Sequence, residues 1–400
     1  MGRQRKPKVA IGQAGGPTAV LNSSLYSFID KAYQDYEVYG IKHGFQGLVN
    51  KQFVKFDNKL LKQLEKSRDV PGAFLGSGRY PMNEKDMYQS IQNLKEQEIH
   101  ALVFIGGNGT MWTCRQLEII AQKMNYDLSV IGIPKTVDND LHETDHSPGF
   151  GSAARYVALS VRDIGKDLQA MQNFESVRII ETMGRNVGWL TAASMYLKET
   201  EVQPPHFIYV PERPFILTNF LHDISETMKS IGHATVVVSE GIRDEKGELI
   251  SQLSLTVDKH NTVLGGAAAF LAKTVSKELN LASRPELLGM NQRCSQLYVS
   301  PQDRIEAEAL AKEAAHFLRK GSSGIMVTII RESLQTDKYM FKIGCTDLAK
   351  VAGLERPLPT HFLDEKGTKI TNEYRNWLRD IVGSDIKGYP KGLTELELSK

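Results

Sequence analysis

The 400-residue sequence lacks the features of membrane-spanning, secreted and nucleic-acid-binding proteins. No apolar run approaches the roughly 20 residues that cross a bilayer. The three cysteines, Cys114, Cys294 and Cys345, are too far apart in sequence to suggest a disulfide framework or a zinc site. The 49 basic and 47 acidic residues nearly cancel, so no overall charge attracts nucleic acid or membrane. The basic N-terminus has no apolar segment behind it, so we expect no signal peptide and a cytoplasmic location.

Short apolar runs alternate with amphipathic helical patterns along most of the chain. The predicted strands are 8–11, 37–41, 101–105, 128–133, 177–182, 207–212, 234–240 and 324–329. The predicted helices include 85–97, 113–124, 153–172, 267–279 and 303–319. This alternation predicts an α/β fold with mostly parallel, doubly wound sheets, and the length favours two or three domains.

Functional groups follow two of these apolar runs. The run 128–133 leads into Pro-Lys-Thr-Val-Asp-Asn-Asp (134–140), and the run 101–105 leads into Gly-Gly-Asn-Gly-Thr (106–110). In open α/β sheets, ligands bind at the carboxyl ends of the strands. We therefore expect the two stretches to face each other across a crevice and to form the active site.

Glycine-rich loops, basic residues and paired aspartates together suit phosphoryl transfer, which requires positioning and neutralisation of a spreading negative charge. Two further glycine-rich loops occur at 12–19 and 72–81, and the second carries Arg79. Asp138 or Asp140 could accept a proton from an attacking hydroxyl, while the other helps to hold Mg²⁺. The alternatives are ordinary: an arginine in a surface salt bridge, or an aspartate in a helix cap or an Asx turn. No P-loop and no protein-kinase motif is present.

The motifs together resemble those of the phosphofructokinase A family. Their order is Gly-Gly-Asn-Gly-Thr (106–110), Pro-Lys-Thr-Val-Asp-Asn-Asp (134–140), Met-Gly-Arg (183–185), Ser-Glu-Gly (239–241) and Asn-Gln-Arg (291–293). The resemblance implies two Rossmann-like domains in the phosphofructokinase fold. It implies a donor-binding domain of residues 1–150 plus about 292–350, and a sugar-phosphate domain of about 151–291 plus 351–400. The implied reaction is phosphoryl transfer to the 1-hydroxyl of fructose 6-phosphate.

The resemblance also implies a role for each matching residue. Asp138 would be the base, with Lys135 and Arg79 stabilising the transferring charge. The sugar would contact Thr136, Asp138, Met183, Gly184, Arg185, Glu240, Arg284, Met290 and Arg293. The donor would contact Gly15, Gly16, Arg79, Gly107, Asn108, Gly109 and Thr110, with Asn108 and Asp140 near Mg²⁺. Arg284 and Arg293 would bind the 6-phosphate, one of them from a neighbouring subunit, so we expect a homodimer or homotetramer.

Four positions depart from the pattern of bacterial ATP-dependent members of the family. Lys135 stands where they usually have glycine. Asn108 is neutral where they carry an aspartate. Ser176 stands where they have an arginine, and Met290 where they have a histidine. Some of the side chains that usually bind the sugar phosphate are therefore missing, or other residues supply those contacts.

The two signals for the phosphoryl donor disagree. Lys135 and the long C-terminal region resemble the pyrophosphate-dependent branch of the family. Gly109, however, stands where that branch commonly has an aspartate thought to block the α-phosphate of ATP. ATP is narrowly favoured as the donor, with pyrophosphate as the alternative. Sedoheptulose 7-phosphate stays open as a competing acceptor.

Other functional classes fit less well. NAD and lipid kinases share a related glycine-rich motif but would lack the phosphate-binding motifs Met-Gly-Arg and Asn-Gln-Arg. A dinucleotide oxidoreductase would need a G-x-G-x-x-G turn opening a βαβ unit. A non-catalytic regulatory subunit is a remote alternative, suggested by Asn108, Ser176 and Met290 but opposed by the retained Asp138, Asp140, Arg185 and Glu240.

Overall fold

The structure is a computed structural model that describes residues 6–250, 255–258, 261–263, 265–332, 339–383, 385–390 and 396. The chain divides into two compact units. Unit 1 contains the residues up to Gly151 together with Arg293–Arg356, and unit 2 contains Ser152–Gln292 together with the residues from Pro357 onward. Among the described residues, no helix is long and apolar enough to cross a membrane.

Thirteen strands are numbered in chain order over the described ranges. They are β1 (Lys8–Gln13), β2 (Glu37–Ile41), β3 (Phe53–Lys55), β4 (Ile99–Gly106), β5 (Ser129–Pro134), β6 (Val177–Thr182), β7 (Phe207–Tyr209), β8 (Ala234–Ser239), β9 (Leu255–Asp258), β10 (Asn261–Val263), β11 (Ser283–Leu287), β12 (Ile325–Arg331) and β13 (Phe341–Asp347).

Twelve α-helices occur in the same described ranges. They are α1 (Leu21–Ala32), α2 (Gly44–Val49), α3 (Asn58–Ser67), α4 (Glu84–Glu96), α5 (Asn108–Lys123), α6 (Phe150–Met171), α7 (Trp189–Ala193), α8 (Leu217–Ile231), α9 (Ala267–Leu279), α10 (Asn291–Cys294), α11 (Pro301–Arg319) and α12 (Asn372–Val382). Short 3₁₀ turns cover Leu348–Lys350 and Thr360–Phe362.

Unit 1 is built on a seven-stranded sheet in the order β13-β12-β5-β4-β1-β2-β3. Only the edge pairs β2–β3 and β12–β13 are antiparallel. Alternate residues of the central strands pack on opposite faces, as the two-residue repeat of a strand requires. Val9, Val103 and Ile131 join one apolar cluster, while Ala10 and Leu102 join the other. Because both faces are buried, the strands read as continuous apolar runs in the sequence.

Unit 2 contains a smaller parallel sheet in the order β11-β6-β8-β7. Its core includes Val177 and Ile179 of β6 and Val236 of β8, packed with helices α8 and α9. Strands β9 and β10 form a separate two-stranded hairpin. Parallel pairing brings the carboxyl ends of β6 and β8 to one edge of the sheet and their amino ends to the other.

The prediction of an α/β fold with mostly parallel sheets is confirmed. The helix predicted at 113–124 was placed too late, because α5 begins at Asn108. Gly107 has an extended backbone and caps this helix, so Asn108, Gly109 and Thr110 form its first turn instead of a loop. The first N–H groups of a helix have no intrahelical partner, and this favours an anion at that position.

Candidate active site

Lys135 connects the end of β5 to the glycine loop that follows β1. Its ammonium group donates hydrogen bonds to the carbonyl oxygens of Ala14 and Gly16, each at 2.9 Å. The side chain is 3% exposed, and burial lowers its pKa to about 8. Asp138 opposes this shift, while Arg79 adds to it, so both charges lie within electrostatic reach of Lys135. The catalytic roles of these three residues stay a prediction.

Gly15 and Gly16 leave room for two basic side chains. Gly15 has a φ of +77°, and a Cβ there would lie 3.2 Å from the ammonium nitrogen of Lys135. A Cβ on Gly16 would lie 2.8 Å from Nη1 of Arg293. Any larger residue would therefore displace Arg293, so the glycines permit a compact cationic loop. Arg293 was expected at the sugar phosphate. It lies within unit 1 beside this loop, and its positive charge lowers the pKa of Lys135.

Asp138 and Asp140 form an acidic pair after β5. The Asp138 N–H donates to the Thr136 hydroxyl at 3.1 Å, which fixes the turn that carries the pair. Burial raises the pKa of Asp140, and the charge of Asp138 raises it further. Oδ1 of Asp140 is buried and has no hydrogen-bond partner. Such an oxygen suits a cation or its bound water, so the donor set fits Mg²⁺.

Asn108 is held by the backbone of residues that are distant in sequence. Its Oδ1 accepts a hydrogen bond from the Gly353 N–H at 3.0 Å, and its Nδ2 donates to the carbonyl oxygen of Leu354. The amide orientation is therefore fixed by the chain beyond β13. The amide oxygen retains one lone pair for the metal role that the sequence predicts.

The space next to Gly109 is open. A Cβ built on this exposed residue would meet no atom within 4 Å. One helical turn further along α5, Trp112 lines a cavity of about 340 Å³ together with Met82, Asn83, Met87 and Gln116. The indole is 42% exposed. The first turn of α5 therefore leads from an unobstructed glycine to an aromatic-lined cavity within unit 1.

In unit 2, Met183-Gly184-Arg185 and Ser239-Glu240-Gly241 follow the adjacent parallel strands β6 and β8. The Ser239 hydroxyl donates to the Gly184 carbonyl, and the Glu240 N–H donates to the Thr182 carbonyl at 3.0 Å. Gly184 has a φ of +138°, a conformation that side-chain-bearing residues rarely adopt. Met183, Gly184, Arg185 and Glu240 therefore all lie at the carboxyl ends of these two strands, and their role in binding the sugar stays a prediction.

Comparison with known proteins agrees with this geometry. Residues 8–318 match the family model of Phosphofructokinase. The chain belongs to the phosphofructokinase family. It is 44% identical over 376 residues to a sulfofructose kinase of Alkalicoccus urumqiensis, an alignment that covers 94% of this chain and 95% of that protein.

Two more relatives place the chain among phosphofructokinase-type phosphotransferases. A pyrophosphate–fructose 6-phosphate 1-phosphotransferase of Rhodospirillum rubrum is 36% identical over 389 residues, covering 94% of this chain and 95% of that protein. The solved structure of a pyrophosphate-dependent phosphofructokinase from Nitrosospira multiformis matches with a TM-score of 0.84 at 29% identity, covering 96% and 94% of the two chains. The chain is thus an enzyme of this type, and its phosphofructokinase fold is confirmed.

Arg284 does not lie with the residues of unit 2 that are expected to bind the sugar. It pairs with Arg178 in the register of β11 and β6, near the amino ends of both strands. Five strand residues separate that level from Met183, which corresponds to roughly 15 Å or more. Arg284 Nε lies 3.3 Å from the buried carboxylate of Glu175. Within one chain, Arg284 therefore lies at the amino ends of the strands of the unit 2 sheet, whereas Arg185 lies at their carboxyl ends.

Ser176 and Met290 also lie at opposite ends of the strands of that sheet. Ser176 precedes β6, and its carbonyl accepts the Ala234 N–H at 2.9 Å. Met290 follows β11 and is 57% exposed, next to the Gln292 side chain that accepts the Met183 N–H at 2.9 Å. The two positions with altered residues therefore belong to different parts of unit 2.

Sequence reasoning missed two residues that shape unit 1. The Arg356 guanidinium donates to the carbonyl oxygens of Thr144, Asp145 and Asn139, and the Arg356 N–H donates to Asp140. It thereby holds the loop that follows the acidic pair. Trp112 was missed because the helix was predicted to begin at 113, one residue after it, whereas α5 begins at Asn108.

Proposed function

We propose that this enzyme transfers a phosphoryl group from Mg²⁺-ATP to the 1-hydroxyl of a fructose that carries an anionic group at C6. Fructose 6-phosphate is the first candidate for this acceptor. The observation that carries the proposal is the cluster of Lys135, Arg79 and Arg293 around Gly15-Gly16, next to Asp138. Phosphoryl transfer needs this combination of cations, close backbone and a carboxylate base.

Asp138 takes the proton from the attacking hydroxyl. It is half-buried and its backbone is fixed by Thr136, so its carboxylate is positioned without being sealed from substrate. Lys135 and Arg79 neutralise charge on the transferring group. Asp140 and Asn108 are the residues that would hold Mg²⁺, which when bound would neutralise charge on the donor phosphates. Burial lowers the pKa of Lys135, whereas the negative charge of a bound polyphosphate should raise it again and favour the protonated form.

ATP is supported as the donor by the first turn of α5. The open space at Gly109 leaves a path for an α-phosphate, and the cavity at Trp112 is large enough for an adenine ring. Pyrophosphate needs neither feature. It remains the alternative donor because Lys135 and the C-terminal region resemble the pyrophosphate-dependent branch.

Sulfofructose is a second candidate for the acceptor. A sulfonate at C6 carries one negative charge, whereas a phosphate ester carries close to two at neutral pH. Ser176 and Met290 supply no positive charge, and Arg284 is already paired with Glu175. This weak cationic set suits a monoanion better than a dianion. The 44% identity to a sulfofructose kinase supports the same acceptor.

On the sugar side, Met183, Gly184, Arg185 and Glu240 would hold the acceptor at the carboxyl edge of the unit 2 sheet. Arg284 would serve a neighbouring subunit, since it lies at the other edge. The active enzyme is therefore proposed to be a homodimer or homotetramer. Size-exclusion chromatography with light scattering tests this, and a fully active monomer would contradict it.

The purified chain should be assayed with Mg²⁺-ATP and with Mg²⁺-pyrophosphate, each with both acceptors in turn, and the product identified by ³¹P NMR. A new phosphate ester on C1 of either acceptor supports the reaction. A tenfold higher kcat/KM for one acceptor decides between them. No turnover with either acceptor and either donor would contradict the proposal and favour a regulatory subunit.

A further inference from the structure

The segment 353–356 holds the side chain of Asn108, one of the two residues that would bind Mg²⁺. The Gly353 N–H donates to Oδ1 of Asn108 at 3.0 Å, and Nδ2 of Asn108 donates to the Leu354 carbonyl oxygen. Both polar atoms of the amide are therefore oriented by this segment. A Cβ built on Gly353 would lie 3.6 Å from Cδ1 of Trp112, so the segment runs along the first turns of α5.

The same segment holds the main chain of Asp140, the other residue that would bind Mg²⁺. The Arg356 N–H donates to the Asp140 carbonyl oxygen at 2.8 Å. Asn108 begins α5 directly after β4, whereas Asp140 follows β5, and these two strands are neighbours in the sheet. The segment therefore connects the ends of two adjacent strands, and the spacing of Asn108 and Asp140 depends on it.

The Arg356 side chain extends this contact to the loop that follows the acidic pair. Its Nη1 donates to the carbonyl oxygens of Thr144 at 2.6 Å and Asp145 at 2.9 Å, and its Nη2 donates to that of Asn139 at 3.2 Å. A guanidinium presents its donors in a rigid planar fork, whereas a lysine ammonium is a single point charge. Arg356 can therefore bridge the two ends of this loop, which a lysine cannot do.

The backbone of Asn139 shows why the loop needs support. Its φ is +58°, in the left-handed region that residues with a side chain seldom occupy. This residue stands between Asp138 and Asp140, so its conformation sets the directions in which the two carboxylates leave the backbone. Two hydrogen bonds hold it, from the Ser147 N–H to the Asn139 side chain at 3.0 Å and from the Arg356 guanidinium to its carbonyl oxygen.

The charge of Arg356 and its hydrogen bonds have opposite effects on a bound cation. Burial lowers the pKa of Arg356 to about 10, while the carboxylates of Asp145 and Asp140 oppose this shift. The guanidinium therefore lies within electrostatic reach of Asp140. Its positive charge repels Mg²⁺, so removal of the charge alone would strengthen metal binding. Its hydrogen bonds hold the metal-binding loop in place, so their removal would weaken metal binding.

We propose that Arg356 is a positioning residue for the Mg²⁺ site, and that the segment 353–356 sets the spacing of Asn108 and Asp140. Arg356 lies beyond residues 8–318, which match the family model. The inference rests on the proposed function, because it takes Asn108 and Asp140 as the residues that hold the metal. Loss of the Arg356 contacts should weaken metal binding about 10- to 100-fold, the usual effect of removing a group that orients metal ligands.

Binding of Mn²⁺ to the full chain, followed by EPR, tests the inference. Mn²⁺ replaces Mg²⁺ because both prefer carboxylate and amide oxygens. The titrations contain either imidodiphosphate or AMP-PNP as an unreactive donor, so the result does not depend on which donor the enzyme prefers. Arg356→Lys keeps the charge and loses the fork, whereas Arg356→Gln loses both. Each should weaken Mn²⁺ binding about 10- to 100-fold.

Arg155→Lys is the matched control, because the Arg155 guanidinium also donates to a backbone carbonyl oxygen, that of Val382 in unit 2, at 2.9 Å. It should leave Mn²⁺ binding unchanged. A second readout separates positioning from a damaged fold. Raising Mg²⁺ by the factor that Mn²⁺ affinity has lost should restore turnover in Arg356→Lys, and a failure to respond to Mg²⁺ would count against the positioning role.

Hydrogen exchange of the wild-type chain keeps the inference testable if the Arg356 variants fail to fold. Mg²⁺ together with imidodiphosphate should slow exchange in a peptide that contains 353–356, because a bound metal stabilises the residues that this segment holds. Imidodiphosphate without Mg²⁺ should have much less effect. Equal slowing with and without Mg²⁺ would contradict a link between the segment and the metal.

Three binding results would overturn the inference. Stronger Mn²⁺ binding in Arg356→Gln, with unchanged binding in Arg356→Lys, would mean that Arg356 acts only through its charge. Weaker binding in Asp140→Asn but in neither Arg356 variant would keep the metal assignment and refute the positioning role. Unchanged binding in Asp140→Asn itself would refute the metal assignment, and the inference with it.

Discussion

The ammonium nitrogen of Lys135 lies 2.9 Å from the carbonyl oxygen of Gly16. This contact joins the end of β5 to the glycine loop after β1, two strands away in the sheet. It places a buried cation, with its pKa lowered to about 8, under the loop proposed to receive the donor phosphates. A lysine in this position both shapes the loop and contributes charge that depends on pH.

The pH profile should therefore show an alkaline limb from Lys135. Its pKa is lowered from the usual value, so the neutral form replaces the charged form as the pH rises through about 8. The kcat/KM for the donor should fall above that pH, because donor binding loses a positive charge. In kcat the limb should appear at higher pH, since bound polyphosphate favours the charged lysine.

Lys135→Arg provides the matched comparison, because an arginine stays charged throughout this range. Its kcat/KM, scaled to its own maximum, should stay level to about pH 9.5. A wild-type profile without a fall between pH 8 and 9.5 would show that Lys135 does not titrate there.

Replacing the proposed base should remove most of the activity without removing donor binding. Asp138→Asn should lower kcat by about 10²- to 10⁴-fold, the usual contribution of general-base catalysis. The donor Kd, measured by calorimetry, should change less than tenfold. Asp127→Asn, at an exposed position of unit 1, is the control and should retain full activity. A loss of less than tenfold in Asp138→Asn would mean that another group accepts the proton.

Gly109 should decide whether ATP can be used. Gly109→Asp adds a carboxylate in open space, so the fold should be unaffected while a nucleotide α-phosphate is repelled. We expect kcat/KM with ATP to fall at least a hundredfold. Gly109→Ala adds bulk without charge and should cost much less, which separates the steric from the electrostatic contribution. Equal losses in the two variants would exclude a role for charge.

Ser176→Arg should shift acceptor preference toward the phosphate ester. The position is half-buried at the amino edge of β6, close in register to Arg284, so a longer side chain can extend there. We expect the ratio of kcat/KM for fructose 6-phosphate over sulfofructose to rise about tenfold. Ser176→Gln has similar length without charge and should leave the ratio near that of the wild type. An unchanged ratio in Ser176→Arg would show that this edge does not contact the C6 anion.

Much of the fold could be predicted from the sequence because buried parallel strands read as short apolar runs. Strands β4, β5, β6 and β8 were found in this way. The antiparallel edge strands β3 and β13 were not, because edge strands are partly exposed and alternate in polarity. β11 was missed for a related reason, since it contains Pro285 and most of its side chains are exposed or half-exposed.

The candidate site was predictable only where its residues are close in sequence. Lys135, Asp138 and Asp140 fall within six positions, so their proximity follows from the chain itself. The hydrogen bond between Asn108 and Gly353 joins residues that are 245 positions apart, and no local pattern indicates it. The same holds for Arg356 and Asn139, which are 217 residues apart. The position of Arg284 at the opposite edge from Arg185 required the strand register.

The measurement that tests this account most directly is steady-state turnover with Mg²⁺-ATP and with Mg²⁺-pyrophosphate, side by side, using the better of the two acceptors. The open space at Gly109 and the cavity at Trp112 predict a kcat/KM at least a hundredfold higher with ATP. A higher value with pyrophosphate would contradict the account and would mean that Lys135 and its surroundings, and not the first turn of α5, select the donor.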